Sequence, residues 1–414
     1  MKQDVIIAGV GMTRFGKHLD RSLKSLAREA ITAALQDAGM ESTDLQAAYM
    51  ANAAAGIITG QVCVPGETIL RDMRIGRIPV INIENACASA STAFNQACAM
   101  IGAGLYDAVL ACGYEKLFHE DKQKTFSVFT GSVDVEKLDD VMVSARQRIA
   151  EAGSQADTRK AGMERSVFMD IYAANALSHM KKYGTTREQF AAVSVKNSFH
   201  GSLNPRAQYR EALTLEQVLA AREIAYPLTL PMCSPIGDGA AAVVLVSAGK
   251  ARELGIGKPV RVLASSLHTG WDYGPEEEHS RVTELCAQEA YEAAGTGPQD
   301  LDCLELHDAS APAEIIICEE LGLCARGEGG AFVEQGHGRL GGKQPVNTSG
   351  GLLRKGHPIG ATGIAQIVEL TEQLLGRCGK RQVEGARIAL AENGGGYIGT
   401  DAAAMCVTIL ERSY

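Results

Sequence analysis

The stretch Asn85-Ala86-Cys87-Ala88-Ser89-Ala90-Ser91 places one cysteine between two segments of different pattern. Residues 78–83 before it are β-branched and read as a buried strand. The Ala-rich segment after it, continuing through Phe94, Ala97 and Met100, reads as a helix with small residues on all sides. Cys87 then falls at the strand-to-helix junction. Unpaired backbone N–H groups and the positive end of the helix dipole favour thiolate over thiol there. That setting suits a nucleophile, although a lone cysteine is also among the most buried of residues and can simply be packed.

Outward from this stretch the chain alternates. Residues 4–10 form a short apolar run, residues 22–38 an amphipathic helix closed by Gly39, and residues 44–50 another strand. After the cysteine helix, residues 108–112 form a strand that continues into Tyr114-Glu115-Lys116. This βαβ alternation predicts an α/β fold, a parallel sheet with helices on both faces. From Leu117 to about Cys233 the chain is more polar and less regular, with helical stretches at 168–183 and 187–200. Alternation resumes at Asp238-Gly239 and the strand 240–246, so the intervening segment reads as an insertion of the kind that covers a site.

The C-terminal part repeats the N-terminal one. Residues 290–295 followed by Asp300-Leu301-Asp302 echo residues 34–39 followed by Asp44-Leu45-Gln46, and residues 387–391 answer 108–112. Gly356-His357-Pro358-Ile359-Gly360-Ala361-Thr362-Gly363 opens a helix much as residues 85–91 do. Two similar halves follow, residues 1–116 with 234–256 and residues 257–414, with 117–233 inserted in the first. Packed about a pseudo-twofold axis, they would bring the helices that follow Cys87 and His357 together at the centre.

At 414 residues the chain suggests two or three packed units. With 46% hydrophobic and 21% charged residues it has the balance of a soluble enzyme. No apolar run is long enough to cross a bilayer, and residues 1–4 lead into a strand without a signal-peptide pattern, so a cytoplasmic protein is expected. The eleven cysteines form no C-x-x-C pair, which implies reduced thiols and neither zinc nor disulfides. A net charge of −9 without a basic cluster argues against nucleic-acid binding.

Taken together, the Ala-Cys-Ala-Ser stretch, Ser234-Pro235-Ile236-Gly237-Asp238-Gly239-Ala240 and the His357 loop resemble the thiolase superfamily over nearly the whole chain. His307-Asp308 and Asn347-Thr348-Ser349-Gly350-Gly351 are similar to the sterol-carrier-protein-type and archaeal branch. The resemblance implies the thiolase fold: two pseudo-symmetric βαβαβαββ halves in a five-layered αβαβα body with an inserted loop domain. It makes Cys87 the nucleophile that takes an acyl group from a thioester and His357 the group that accepts its proton. Asn393-Gly394-Gly395-Gly396 matches the final motif, so the N–H groups of Gly395 and Cys87 are expected to build an oxyanion hole. His307 matches a polar donor of a second oxyanion site. Coenzyme A enters as substrate or product, with no metal. A homodimer or dimer of dimers is implied, and a zinc-ribbon/OB-fold partner protein is compatible with this branch.

Two positions depart from the pattern. Most thiolases have a second catalytic cysteine where this chain has Asn393, and the sterol-carrier-type branch moves it to the position held here by Ala309. Neither residue titrates. The second proton carrier must then be His307, Glu392, a residue of the insertion such as His119, or the substrate. Arg206 and Arg210 are candidate phosphate contacts only. Three functions compete: an acyltransferase cleaving or making a 3-oxoacyl-CoA, an acyltransferase to a non-CoA acceptor or C–C lyase on the same scaffold, and a non-catalytic assembly subunit. Cys87 retained with His357 favours the first.

Overall fold

The structure, a computed structural model, describes residues 4–151, 165–273 and 280–413. The first half contributes strands β1 (Val5–Met12), β2 (Ala47–Ala51), β3 (Val80–Ile83), β4 (Ala108–Glu115) and β5 (Gly239–Ser247), and the second β6 (Val260–His268), β7 (Cys303–Glu305), β8 (Ile388–Gly395) and β9 (Ala404–Arg412). Helix α1 (Leu23–Ala38) follows β1, and α2 (Ser89–Gly102) follows the Cys87 turn. Between β4 and β5 lie α3 (Val167–Tyr183) and α4 (Arg187–Leu203). The second half holds α5 (Val282–Ala294), α6 (Ala311–Glu320) and α7 (Thr362–Leu374).

The spatial strand order is β3-β2-β4-β5-β1-β6-β9-β8-β7. Outward from the centre, each half presents two antiparallel pairings and then a parallel one: β1-β5-β4-β2 in the first and β6-β9-β8-β7 in the second. The counterpart of β3 in the second half is a single parallel bridge, Leu304 to Val346. The halves are joined where β1 pairs antiparallel with β6, Val5 opposite Val262 and Ile7 opposite Val260.

Alternate residues explain the layers. On β5, Ala241, Val243 and Leu245 face the central core with α2 and α7, while Ala242, Val244 and Val246 face α1. In the second half Met405, Val407 and Ile409 face α5 and α6. A strand covered on both faces reads as a continuous apolar run, as residues 240–246 do. The resulting order is helix, sheet, helix, sheet, helix, with α2 and α7 in the middle. Ser22 caps α1 through a hydrogen bond from Ser25 N, and Gly39, at φ 62°, ends it.

One expectation is revised. Residues 78–83 are not a buried strand: β3 is an edge strand, half-exposed along most of its length and paired only with β2. A β-branched run has the same composition at an edge as at a centre. The segment 117–233, of which 152–164 lie outside the described residues, has a small cluster of its own, Ala145 and Ile149 with Ala174 and Leu177, and also packs on the second half. Phe190 and Val193 of α4 and Ala173 of α3 share one core with α5 and α6 of the second half. Among the described residues no helix is long and apolar enough to cross a membrane, and all eleven thiols are free.

Candidate active site

Cys87 lies in a single tight turn, Ala86–Ala88, that leads into α2. Ala86 takes φ 48°, which a residue with a Cβ adopts only under constraint. The constraint comes from the small polar residues around it. Ser89 Oγ accepts the Asn85 N–H at 2.9 Å and donates to Ala86 O at 2.6 Å, and Glu84 accepts the Ala86 N–H at 2.6 Å. The N–H groups of Cys87 and Gly396 both reach Sγ. Gly395 serves by having no side chain: a Cβ there would meet Asn85 O at 2.2 Å.

The thiol is not acidified as expected. Burial, with the Glu115 carboxyl adding to it, pushes Cys87 up to about 12 against the pull of the two N–H groups. Desolvation of the charged form outweighs the helix terminus here. The resting state is therefore a thiol, and a base must take its proton when substrate arrives.

That base comes from the other half. Thr362 donates its hydroxyl to Pro358 O at 3.1 Å, so its lone pair accepts from His357 Nδ1 at 2.8 Å and leaves Nε2 without a proton. His307 has the opposite tautomer. Ser91 donates to Asn393 Oδ1, which turns the Asn393 amide so that Nδ2 donates to His307 Nδ1 at 2.8 Å. His307 Nε2 then carries the hydrogen and can donate it. The two rings meet edge to face, centroids 5.0 Å apart. One atom each of Cys87, His307 and His357 lie within 4.8 Å of one another. Burial lowers both imidazoles, His307 to about 4 and His357 well below its ordinary value, with the neighbouring His307 and Lys355 adding to the burial at His357.

Buried carboxylates hold these loops. Glu115 Oε2 accepts the N–H of Gly360, in the His357 loop, at 3.0 Å and that of Ala53 at 3.2 Å. Asp308 accepts from Leu352 N at 2.6 Å and from Asn197 Nδ2 at 2.7 Å, and Lys355 pairs with Glu305 at 2.9 Å. Asp238 of the motif at 234–240 accepts from Leu117 N at 2.8 Å and Phe118 N at 2.9 Å, fixing where the insertion leaves the sheet.

A cavity of about 130 Å³ is lined by Cys87, His307, Glu392 and Gly394 and by Tyr172 and Ile171 of α3; His357 is not in its wall. Asn393 is not in its wall, because its amide faces Ser91 and His307. His119 is also outside, with Nδ1 accepting the Asp121 N–H at 3.0 Å. Arg206 pairs with Glu372, and Arg210 is exposed. A second close group, Glu369, Glu372 and Cys378, is bound up with Arg381, which reaches both carboxylates. Sequence reasoning missed Ser91, Thr362 and Tyr172, whose partners lie in other elements or one helical turn away in a loop.

The family description "Thiolase, N-terminal domain" matches residues 5–249 and "Thiolase C-terminal domain-like" matches residues 276–412. An acetyl-CoA acetyltransferase of Methanothermobacter thermautotrophicus is 40% identical over 403 residues, 97% of this chain and 98% of the relative. The benzoylsuccinyl-CoA thiolase subunit BbsB of Thauera aromatica is 35% identical, with 96% of each chain covered. Sterol carrier protein 2 of Homo sapiens is 36% identical over 94% of this chain and 69% of its own length. Among solved structures, the Ltp2-ChsH2(DUF35) aldolase superposes with a TM-score of 0.76 at 27% identity over 99% of this chain and 98% of that one. Human mitochondrial 3-ketoacyl-CoA thiolase, at 16% identity and a TM-score of 0.71, covers 100% of this chain and 99% of its own, a likeness of fold.

Proposed function

The chain belongs to the thiolase family, and from that premise we propose that it cleaves or forms 3-oxoacyl-CoA thioesters through an acyl-Cys87 intermediate. It is an acyltransferase enzyme of the thiolase type. The observation that carries the assignment of residues is the meeting of Cys87, His307 and His357, from three separate elements, within 4.8 Å.

In the cleavage direction, Sγ of Cys87 attacks the 3-oxo carbon while His357 Nε2 takes the thiol proton. The oxyanion hole expected of the Cys87 and Gly395 N–H groups is reassigned to those of Cys87 and Gly396, which reach Sγ, beside which the oxyanion develops, while Gly395 allows the close approach by lacking a Cβ. The C2–C3 bond then breaks, and His307 Nε2–H faces the thioester oxygen on which the released enolate carries its charge. Coenzyme A attacks the acyl-cysteine in the second half of the cycle, in ping-pong fashion. Cys87 and His357 need no metal for these steps. Asn393 acts as a positioning residue for His307.

A homo-oligomer fits the open edge of β3, whose outer N–H and C=O groups offer pairing to a second copy. A partner protein is the further proposal, since one relative is a thiolase subunit and one structural neighbour is a complex with a DUF35 protein. The lack of a second cysteine, together with likeness to an aldolase, favours C–C lyase activity as the second reading.

Intact-protein mass spectrometry after brief incubation with acetyl-CoA and with a 3-oxoacyl-CoA tests the assignment. An acyl mass gain is expected in the wild type and absent in Cys87→Ala. Folded wild-type protein that gains no mass from either thioester would sink the acyl-cysteine reading and turn attention to lyase substrates.

A further inference from the structure

A thiolase cycle moves a second proton: the enolate released on C–C cleavage must gain one, and the thiol of the incoming CoA must lose one. His357 serves Cys87, Asn393 holds His307, and residue 309 is alanine. Three carboxyls line the cavity, Glu320, Glu392 and Asp401, and Glu392 is the one that touches His307. Glu392, on β8, is 0% exposed, and its Oε2 accepts the backbone N–H of His307 at 2.8 Å. Its Oε1 is buried without a hydrogen-bond partner, and a native protein seldom leaves such an atom idle. The space beside Oε1 exists because residue 394 is glycine: a Cβ there would stand 3.9 Å from Oε1 and 3.1 Å from Met405 Cε.

We propose that Glu392 carries the second proton, giving it as the carboxylic acid to C2 of the departing enolate and taking it as the carboxylate from the thiol of coenzyme A. This rests on the acyl-Cys87 reading. In the first half the C2–C3 electron pair passes to C2, which takes the Glu392 proton. In the second half the bond from the CoA sulfur to the acyl carbon forms, the CoA proton goes to Glu392, the bond to Cys87 Sγ breaks, and Sγ recovers its proton from His357. Both residues end as they began.

Burial pushes the Glu392 carboxyl up to about 8, opposed by the His307 N–H and supported by Glu320 of α6, so the acid form is at hand at neutral pH. The other titratable groups that feel it are Tyr172 of α3, Cys286 of α5 and Cys406 of β9. Arg281 and Asp401 line the same cavity, and the Arg281 cation pairs with Glu320 at 3.4 Å.

Glu392→Gln and Glu392→Asp test the assignment. Acylation by acetyl-CoA reverses the step in which Glu392 takes the CoA proton, so Glu392→Gln is expected to gain the acetyl mass on Cys87 more slowly than the wild type. Its thiolysis turnover, and its deuterium wash-in at C2 of acetyl-CoA in D2O, are expected to fall about 100-fold or more. Wild-type kcat/KM for a 3-oxoacyl-CoA should decline as pH rises through about 8, where the acid form is lost, and Glu392→Gln should lack that decline. Glu392→Asp, which keeps the acid on a shorter arm, should recover part of the turnover and retain the decline. Turnover within about threefold of wild type in Glu392→Gln, or the same high-pH decline in that variant, would overturn the proposal. If Glu392→Gln does not fold, a wild-type profile flat through pH 8 overturns it. Thiolysis by Cys87→Ala would instead refute the acyl-cysteine reading itself.

Discussion

Asn393 stands where the resemblance puts a second cysteine, and its amide links Ser91 on α2 to His307 ahead of α6. Asn393→Ala would leave a buried hydroxyl and a buried ring nitrogen unpaired, at a cost of about 1–3 kcal/mol. It would also free the imidazole to turn. We expect kcat for thiolysis to fall about 10- to 100-fold with KM nearly unchanged, read by steady-state kinetics beside urea denaturation. Cys87 and His357 were legible in the sequence because each sits in a run of small residues that only a close backbone course requires. The tautomers of His357 and His307 were not, since they depend on Thr362 and Asn393. Nor was the raised Cys87 thiol, because burial is a property of the packed molecule.

Between elements, the distance from Cys87 to His357 is set where α2 crosses α7. Gly363 lies so close to Ser91 that an added Cβ would stand 1.9 Å from Ser91 Oγ and 2.7 Å from Ser91 N. Gly363→Ala must part the two helices. Overpacking of this kind costs about 1–3 kcal/mol, and moving reacting groups by about 1 Å can cost about 100-fold in rate. A lowered Tm with a proportionate slowing of acetyl-Cys87 formation is expected, and a wild-type acylation rate would show that the crossing does not set the site. The helices at 22–38, after Cys87, at 168–183 and at 187–200 were legible from periodicity, and two helix ends from Gly39 and Gly295. The edge position of β3 was not, because pairing partners are chosen by topology.

At the scale of the whole molecule, the segment between β4 and β5 is clamped to the second half by buried charge. Lys196 of α4 pairs with Glu314 of α6 at 3.1 Å and donates to Val346 O at 2.7 Å. Asn197 reaches both Asp308 and Glu314, and Asn347, at φ 58°, donates to Glu314 at 2.7 Å. Glu314→Ala strands a buried ammonium and should cost about 3–5 kcal/mol, while Lys196→Met with Glu314→Leu should recover most of that loss. Denaturant midpoints of the three proteins check this. A single variant no less stable than wild type would mean that the clamp is not what joins the two parts.

The sequence by itself determined the alternation of strands and helices, the duplication, the place of the insertion, and the cysteine and histidine motifs, because each is written in periodicity, small residues and turn chemistry close along the chain. Only the tertiary structure decided that the two halves join through β1 and β6, that the insertion shares its core with the second half, and that Glu392 faces the cavity while Asn393 turns to hold His307. The reason is physical: these depend on contacts between residues far apart in the chain, and on which side chains lose water when those contacts close.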